Sequence, residues 1–104
     1  MVSFVKNLFS SETKINFSEL VKNGAIILDV RTKKEFESGH ISGAINIPLD
    51  LIRGNVSRFK KDAVIITCST SGKRSASAKS ILNYSEIYKV YNAGNWLKLK
   101  NQLN

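Results

Sequence analysis

Two short apolar runs constrain this chain more than any other feature of its sequence. Ala25-Ile-Ile-Leu-Asp-Val30 and Ala63-Val-Ile-Ile-Thr67 are nearly unbroken and rich in β-branched residues. Such runs suit strands buried on both faces, as in the middle of a parallel sheet. Ala44-Ile-Asn-Ile47 and Lys89-Val-Tyr91 are weaker strand candidates.

Helical segments fall between these runs. Phe17–Asn23 carries apolar residues at 17, 20 and 21, and Gly24 follows as a stop. Thr32-Lys-Lys-Glu35 has the spacing of a capping box and starts a helix that carries Phe36 and ends near Gly39. Leu49–Phe59 reads as a helix broken or bent at Gly54, and Lys73–Asn83 as an alanine- and serine-rich helix that can lie close against a sheet. Asn95–Leu103 places Trp96, Leu99 and Leu103 at helical spacing, as core. Strands alternating with short helices predict one α/β domain with a mostly parallel sheet. Ligands of such sheets sit beyond the carboxyl ends of the strands. Here that means the loops beginning at Arg31 and at Ser69.

Composition narrows the chemistry. The 104 residues make room for one domain and one core. One cysteine and one histidine allow no internal disulfide and no zinc site of the usual kind, so neither a metal nor another cofactor is expected. No stretch reaches the roughly 20 apolar residues of a membrane span. The first nine residues lack an export signal's long apolar run, so the expected location is the cytoplasm. The net charge of +8 comes from lysines scattered along the chain, not interleaved with aromatic residues. It reads as a solvated surface that attracts small anions and not as a nucleic-acid platform.

The strand ending at Thr67 is followed by Cys68-Ser69-Thr70-Ser71-Gly72-Lys73-Arg74 and then a helix. A strand, a tight glycine-containing loop and a helix N-terminus together aim several N–H groups at one point, which is a cradle for an anion. Ser69, Thr70 and Ser71 add hydroxyls, while Lys73 and Arg74 add positive charge. An ordinary strand-to-helix turn would account for one capping hydroxyl, but not for three beside two cations.

Three segments resemble the rhodanese-like domains, a family that moves sulfane sulfur through a cysteine persulfide. Asp29-Val-Arg-Thr-Lys-Lys-Glu-Phe-Glu-Ser-Gly-His-Ile-Ser-Gly-Ala-Ile-Asn-Ile-Pro48 is similar to the family's D-V-R-x-x-x-E-[FY]-x-x-G-H-I-x-G-A-x-N-[IV]-P segment. Gly72-Lys-Arg-Ser-Ala-Ser-Ala resembles the end of its active loop, and Val90-Tyr-Asn-Ala-Gly-Asn-Trp96 its closing V-Y-N-x-G-x-W. The resemblance covers the chain from about residue 15, leaving 1–14 as an N-terminal extension of a single domain over 1–104. It implies a five-stranded parallel sheet with helices on both faces, and a thiosulfate or persulfide sulfurtransferase. A small sulfur-containing or other oxyanion and a thiol or protein sulfur acceptor would be the partners, with no nucleic acid and no membrane.

The nucleophile departs from the family pattern. The loop C-x-x-G-x-R puts glycine three and arginine five residues after its cysteine, and counting back from Gly72 and Arg74 lands on Ser69. Cys68 is then the last strand position, turned to the opposite face. A serine hydroxyl is a far weaker acid than a thiol and forms no persulfide. The other register makes Cys68 the nucleophile of a seven-residue C-x5-R loop, resembling the rhodanese-fold phosphatases and arsenate reductases. Three functions therefore stand: a sulfurtransferase, a non-catalytic module binding an anion or partner, and an oxyanion enzyme using Cys68. Ser69 can itself be a natural or an introduced replacement of cysteine. The remaining marked residues are expected to be structural. His40 is hydrogen-bonded, Asp29 and Arg31 support the loop by pairing with neighbours such as Glu35, and Phe4, Val5, Leu8 and Phe9 form a short apolar face.

Overall fold

The computed structural model describes residues 14–103; the apolar face expected at Phe4–Phe9 lies outside them. Four strands, β1 (Ile26–Asp29), β2 (Ile45–Asn46), β3 (Ile65–Ser69) and β4 (Val90–Asn95), form one parallel sheet in the order β2-β1-β3-β4. Four helices accompany it: α1 (Phe17–Lys22), α2 (Lys33–Glu37), α3 (Lys73–Tyr84) and α4 (Trp96–Gln102).

Side-chain alternation along the central strands divides the core in two. Leu28, Val30 and Ile65 face one side and pack with Ala78 and Leu82 of α3 and with Ile47, Ile52, Ile87 and Val90. Ile27, Ile66 and Cys68 face the other and pack with Ile41 and Leu99, flanked by Phe17, Leu20, Val21, Trp96 and Leu103. Helices thus cover both faces, which is why the central strands are apolar on both.

Two expectations need correction. Four strands are present among the described residues and not five, because no described segment pairs with the outer edge of β2 or of β4. The stretch from Leu49 to Phe59 forms two 3₁₀ segments, Leu49–Leu51 and Arg53–Arg58, and no α-helix. The break falls at Ile52, not Gly54, where the buried Ile52 side chain anchors the turn in the core.

The sheet order sets where a ligand can sit. From β1 the chain passes outward to β2 on one side and to β3 and β4 on the other, so the strand order reverses between β1 and β3. Connections leaving the carboxyl ends of neighbouring strands diverge there and open a crevice. The loops after β1 and β3 flank that crevice.

Candidate functional site

The loop after β3 is built around the Ser69 hydroxyl. Ser69 is fully buried and faces α3, and its Oγ accepts hydrogen bonds from the N–H of Gly72 at 3.1 Å and of Ser75 at 3.3 Å. Its own hydroxyl reaches Ser75 Oγ at 3.0 Å, and Ser75 Oγ donates to the Gly72 carbonyl at 3.1 Å. Thr67, two residues earlier on the same face, donates to the Ser75 carbonyl at 3.0 Å. The first turn of α3 is therefore stitched to the end of β3, with two of its N-terminal amides, those of Gly72 and Ser75, on one side-chain atom. Gly72 makes the turn possible: its φ is +90°, and a Cβ there would lie 3.2 Å from Gly94 Cα. Thr70, Ser71 and Lys73 are exposed at the loop's mouth, where the Lys73 N–H is held loosely by Ser71 Oγ at 3.4 Å.

Cys68 lies on the other side of the sheet. Its side chain is fully buried among Ile27, Ile41, Ile66 and Leu99. Burial, with the nearby Asp29 carboxylate, pushes its thiol up to about 12, so it carries essentially no thiolate near neutral pH. The strand's period of two separates the two residues: Ser69 turns to α3 and Cys68 away from it.

Arg74 joins the two loops. Its guanidinium donates to Glu35 Oε1 at 2.8 Å and Oε2 at 3.1 Å, and to Thr70 Oγ1 at 3.3 Å. Glu35 completes the capping box of α2 at the same time: Oε1 accepts from the Thr32 N–H at 2.9 Å, and Thr32 Oγ1 accepts from the Glu35 N–H at 3.2 Å. The Arg74 hydrogen bonds, then the Thr32 N–H, hold the Glu35 carboxyl down at about 2, and the pairing raises the Arg74 guanidinium in turn. Lys73 is the loop cation that makes no ion pair among the described residues. Beside the loop runs an open groove of about 680 Å³, with Thr32, Pro48, Arg53 and Arg74 among its walls.

The expected pairing of Asp29 and Arg31 with Glu35 takes a different form. Arg31 binds Asp29 through Nε at 3.0 Å and Nη2 at 2.7 Å, both residues being buried. It reaches Glu35 only at the main-chain carbonyl, 3.3 Å from Nη1, because the Glu35 carboxylate is turned to Arg74. Nη2 also donates to the Gly39 carbonyl at 2.7 Å, and the guanidinium lies 4.2 Å from the Trp96 ring centre. Arg31 is thus spent on fixing the segment after β1. His40 is local: Nδ1 lies 2.7 Å from the Phe36 carbonyl, and its ring stacks on Phe36 at 3.8 Å.

Three residues that the sequence did not single out touch the loop. Ser75 bonds Ser69, as above; Asn92 Nδ2 donates to the Gly72 carbonyl at 3.3 Å and Asn95 Nδ2 to the Thr70 carbonyl at 2.7 Å. Both asparagines lie within the V-Y-N-x-G-x-W segment, which was the available signal. No helix among the described residues is long and apolar enough to cross a membrane.

With this geometry in view, the relatives of the chain are informative. The family model of the rhodanese-like domain matches residues 14–97. The thiosulfate sulfurtransferase PspE of Escherichia coli is 36% identical over 70 residues, 64% of this chain and 66% of that protein. The thiosulfate sulfurtransferase GlpE of Ectopseudomonas mendocina is 32% identical over 75 residues, 69% of each chain. The chain thus spans about two thirds of the length of these relatives. A solved rhodanese with anions from E. coli superposes with a TM-score of 0.67 at 29% identity, over 71% of this chain and 89% of that one. By the family match, by these relatives and by its parallel sheet under helices on both faces, the chain belongs to the rhodanese-like domains and is related to thiosulfate sulfurtransferases.

Proposed function

We propose that the loop Ser69–Arg74 binds a small oxyanion such as thiosulfate, and that the chain carries no persulfide because a serine stands at the sulfur-carrying position. One observation carries the reading: the atom that gathers the amides of Gly72 and Ser75 is Ser69 Oγ, whereas the Cys68 thiol is buried across the sheet. The loop amides, the α3 N-terminus and the exposed Lys73 supply the positive potential an oxyanion needs. Sulfur transfer from thiosulfate needs a thiolate that attacks the sulfane sulfur, expels sulfite and holds the sulfur as a persulfide until an acceptor thiolate or cyanide takes it. A hydroxyl does none of this. The same potential would favour a thiolate at position 69. The amide contacts to Ser69 Oγ, at 3.1 and 3.3 Å, lie at the long end of N–H···O distances.

The test is thiocyanate formation from thiosulfate and cyanide. The parent is expected to be inactive, Ser69→Cys to gain activity, and Ser69→Cys combined with Cys68→Ser to keep most of it. An active parent that Cys68→Ser alone silences would give the chemistry to Cys68. A folded, thiosulfate-binding Ser69→Cys variant without activity would show that more than the sulfur has been lost.

A further inference from the structure

The end of β4 contains an irregularity that the pairing register exposes. Asn92 stands opposite Thr67 and Gly94 opposite Cys68, so Ala93 is an extra residue in β4, a bulge. In a regular strand, residues three apart point to opposite faces. The bulge cancels one step. Asn92 and Asn95 therefore stand opposite Thr67 and Ser69, which are two apart on β3 and face α3 together. Both asparagines thus reach the same loop.

Each carboxamide is used at both ends. Asn92 Oδ1 accepts from the Gly94 N–H at 2.9 Å, and Asn95 Oδ1 accepts from the Lys98 N–H at 2.9 Å as the N-cap of α4. These bonds fix which end of each amide faces the loop. The Nδ2 groups then hold the Thr70 carbonyl at 2.7 Å and the Gly72 carbonyl at 3.3 Å. Across a trans peptide, a carbonyl and the following N–H point in opposite directions. The Gly72 carbonyl also accepts from the Ala76 N–H at 3.0 Å and from Ser75 Oγ at 3.1 Å, so Asn92 adds a bond to a carbonyl that the first turn of α3 already directs. With the Thr70 and Gly72 carbonyls held in this way, the N–H groups of Ser71 and Lys73 point away from them, and the Lys73 N–H meets Ser71 Oγ at 3.4 Å. Gly94 passes close to Gly72, where an added Cβ would lie 3.2 Å from Gly94 Cα.

We propose that Asn92 and Asn95, brought to one face by the bulge at Ala93, are positioning residues that hold the loop amides of Ser71 and Lys73 in the orientation that binds an oxyanion. This inference rests on the oxyanion reading of the loop. It assigns the closing segment of the chain a part in ligand binding through the main chain of another segment, without contact to the ligand.

Serine at either position keeps a short oxygen acceptor for the Gly94 or Lys98 N–H and removes the donor to the loop. The full chain, Asn92→Ser, Asn95→Ser and the double variant are titrated calorimetrically with thiosulfate, well below their melting temperatures. Amide NMR spectra are recorded in parallel. The expected result is a dissociation constant raised about threefold in each single variant and at least tenfold in the double variant. The thiosulfate-induced shifts of the Ser71 and Lys73 amides seen in the parent should also be lost. A merely structural role would lower the melting temperature but leave affinity and amide shifts unchanged in the folded protein. A double variant that binds within twofold of the parent overturns this inference alone. A parent that binds no thiosulfate overturns the oxyanion reading and this inference with it.

Discussion

Neighbouring residues 68 and 69 differ in chemistry because a strand shows its side chains to two different surroundings. Cys68 meets aliphatic side chains and the Asp29 charge, both of which oppose a thiolate, while Ser69 meets N–H groups. With its thiol pushed up to about 12, Cys68 should react with iodoacetamide at least about a hundredfold more slowly in the folded chain than in denaturant at pH 8. Thiosulfate should make no difference to that rate. Fast labelling of the folded chain that thiosulfate slows would instead place the thiol in the loop. The opposed directions of 68 and 69 were legible from the period of a strand. The hydrogen bonds on Ser69 from Gly72 and Ser75, and those of the asparagines on the neighbouring loop carbonyls, were not, because they arrive through a helix turn and a bulge that leave no periodic mark.

At the scale of elements, the Glu35–Arg74 pair ties the cap of α2 to the first turn of α3 across the crevice between β1 and β3. The capping box was readable at its spacing of three residues. Its second partner, 39 residues away, was not, since nothing local in Thr32–Glu35 says which cation will arrive. The carboxyl of Glu35 lies below its ordinary value of 4.5, at about 2 in the folded chain. It therefore binds its proton less readily when folded, and its contribution to stability is complete above about pH 4.5 and fades as pH falls toward 2. Both side chains are about one third exposed, 34% for Arg74 and 38% for Glu35, so solvent limits that contribution to about 1 kcal/mol or less. Glu35→Gln should melt a few degrees below the parent at neutral pH, with the gap closing between pH 4.5 and 2. Thermal unfolding across that range decides it, and a gap independent of pH would mean that the carboxylate's charge contributes nothing.

For the molecule as a whole, the architecture was legible and the edges were not. Two apolar runs flanked by helical periodicity were enough for a parallel sheet covered on both faces, because burial on both sides leaves a composition that few other arrangements produce. The fifth strand came only from the resemblance, and in place of the expected helix two 3₁₀ segments flank the buried Ile52. The same global view separates two sources of attraction for an anion: the net charge of +8 and the local cradle. Lys22, Lys60 and Lys89 are exposed and precede β1, β3 and β4, at the end of the sheet opposite the loop. At about 3.3 Å per strand residue, they stand roughly 15 Å or more from Ser69. That exceeds the screening length of about 8 Å at physiological salt. Replacing all three with glutamine should therefore leave thiosulfate affinity within twofold of the parent in 150 mM sodium chloride. At 10 mM, where fields reach across the domain, it should weaken binding several-fold. If affinity collapses at both salt concentrations, the anion is held by the protein's overall charge, and the loop amides have no special claim on it.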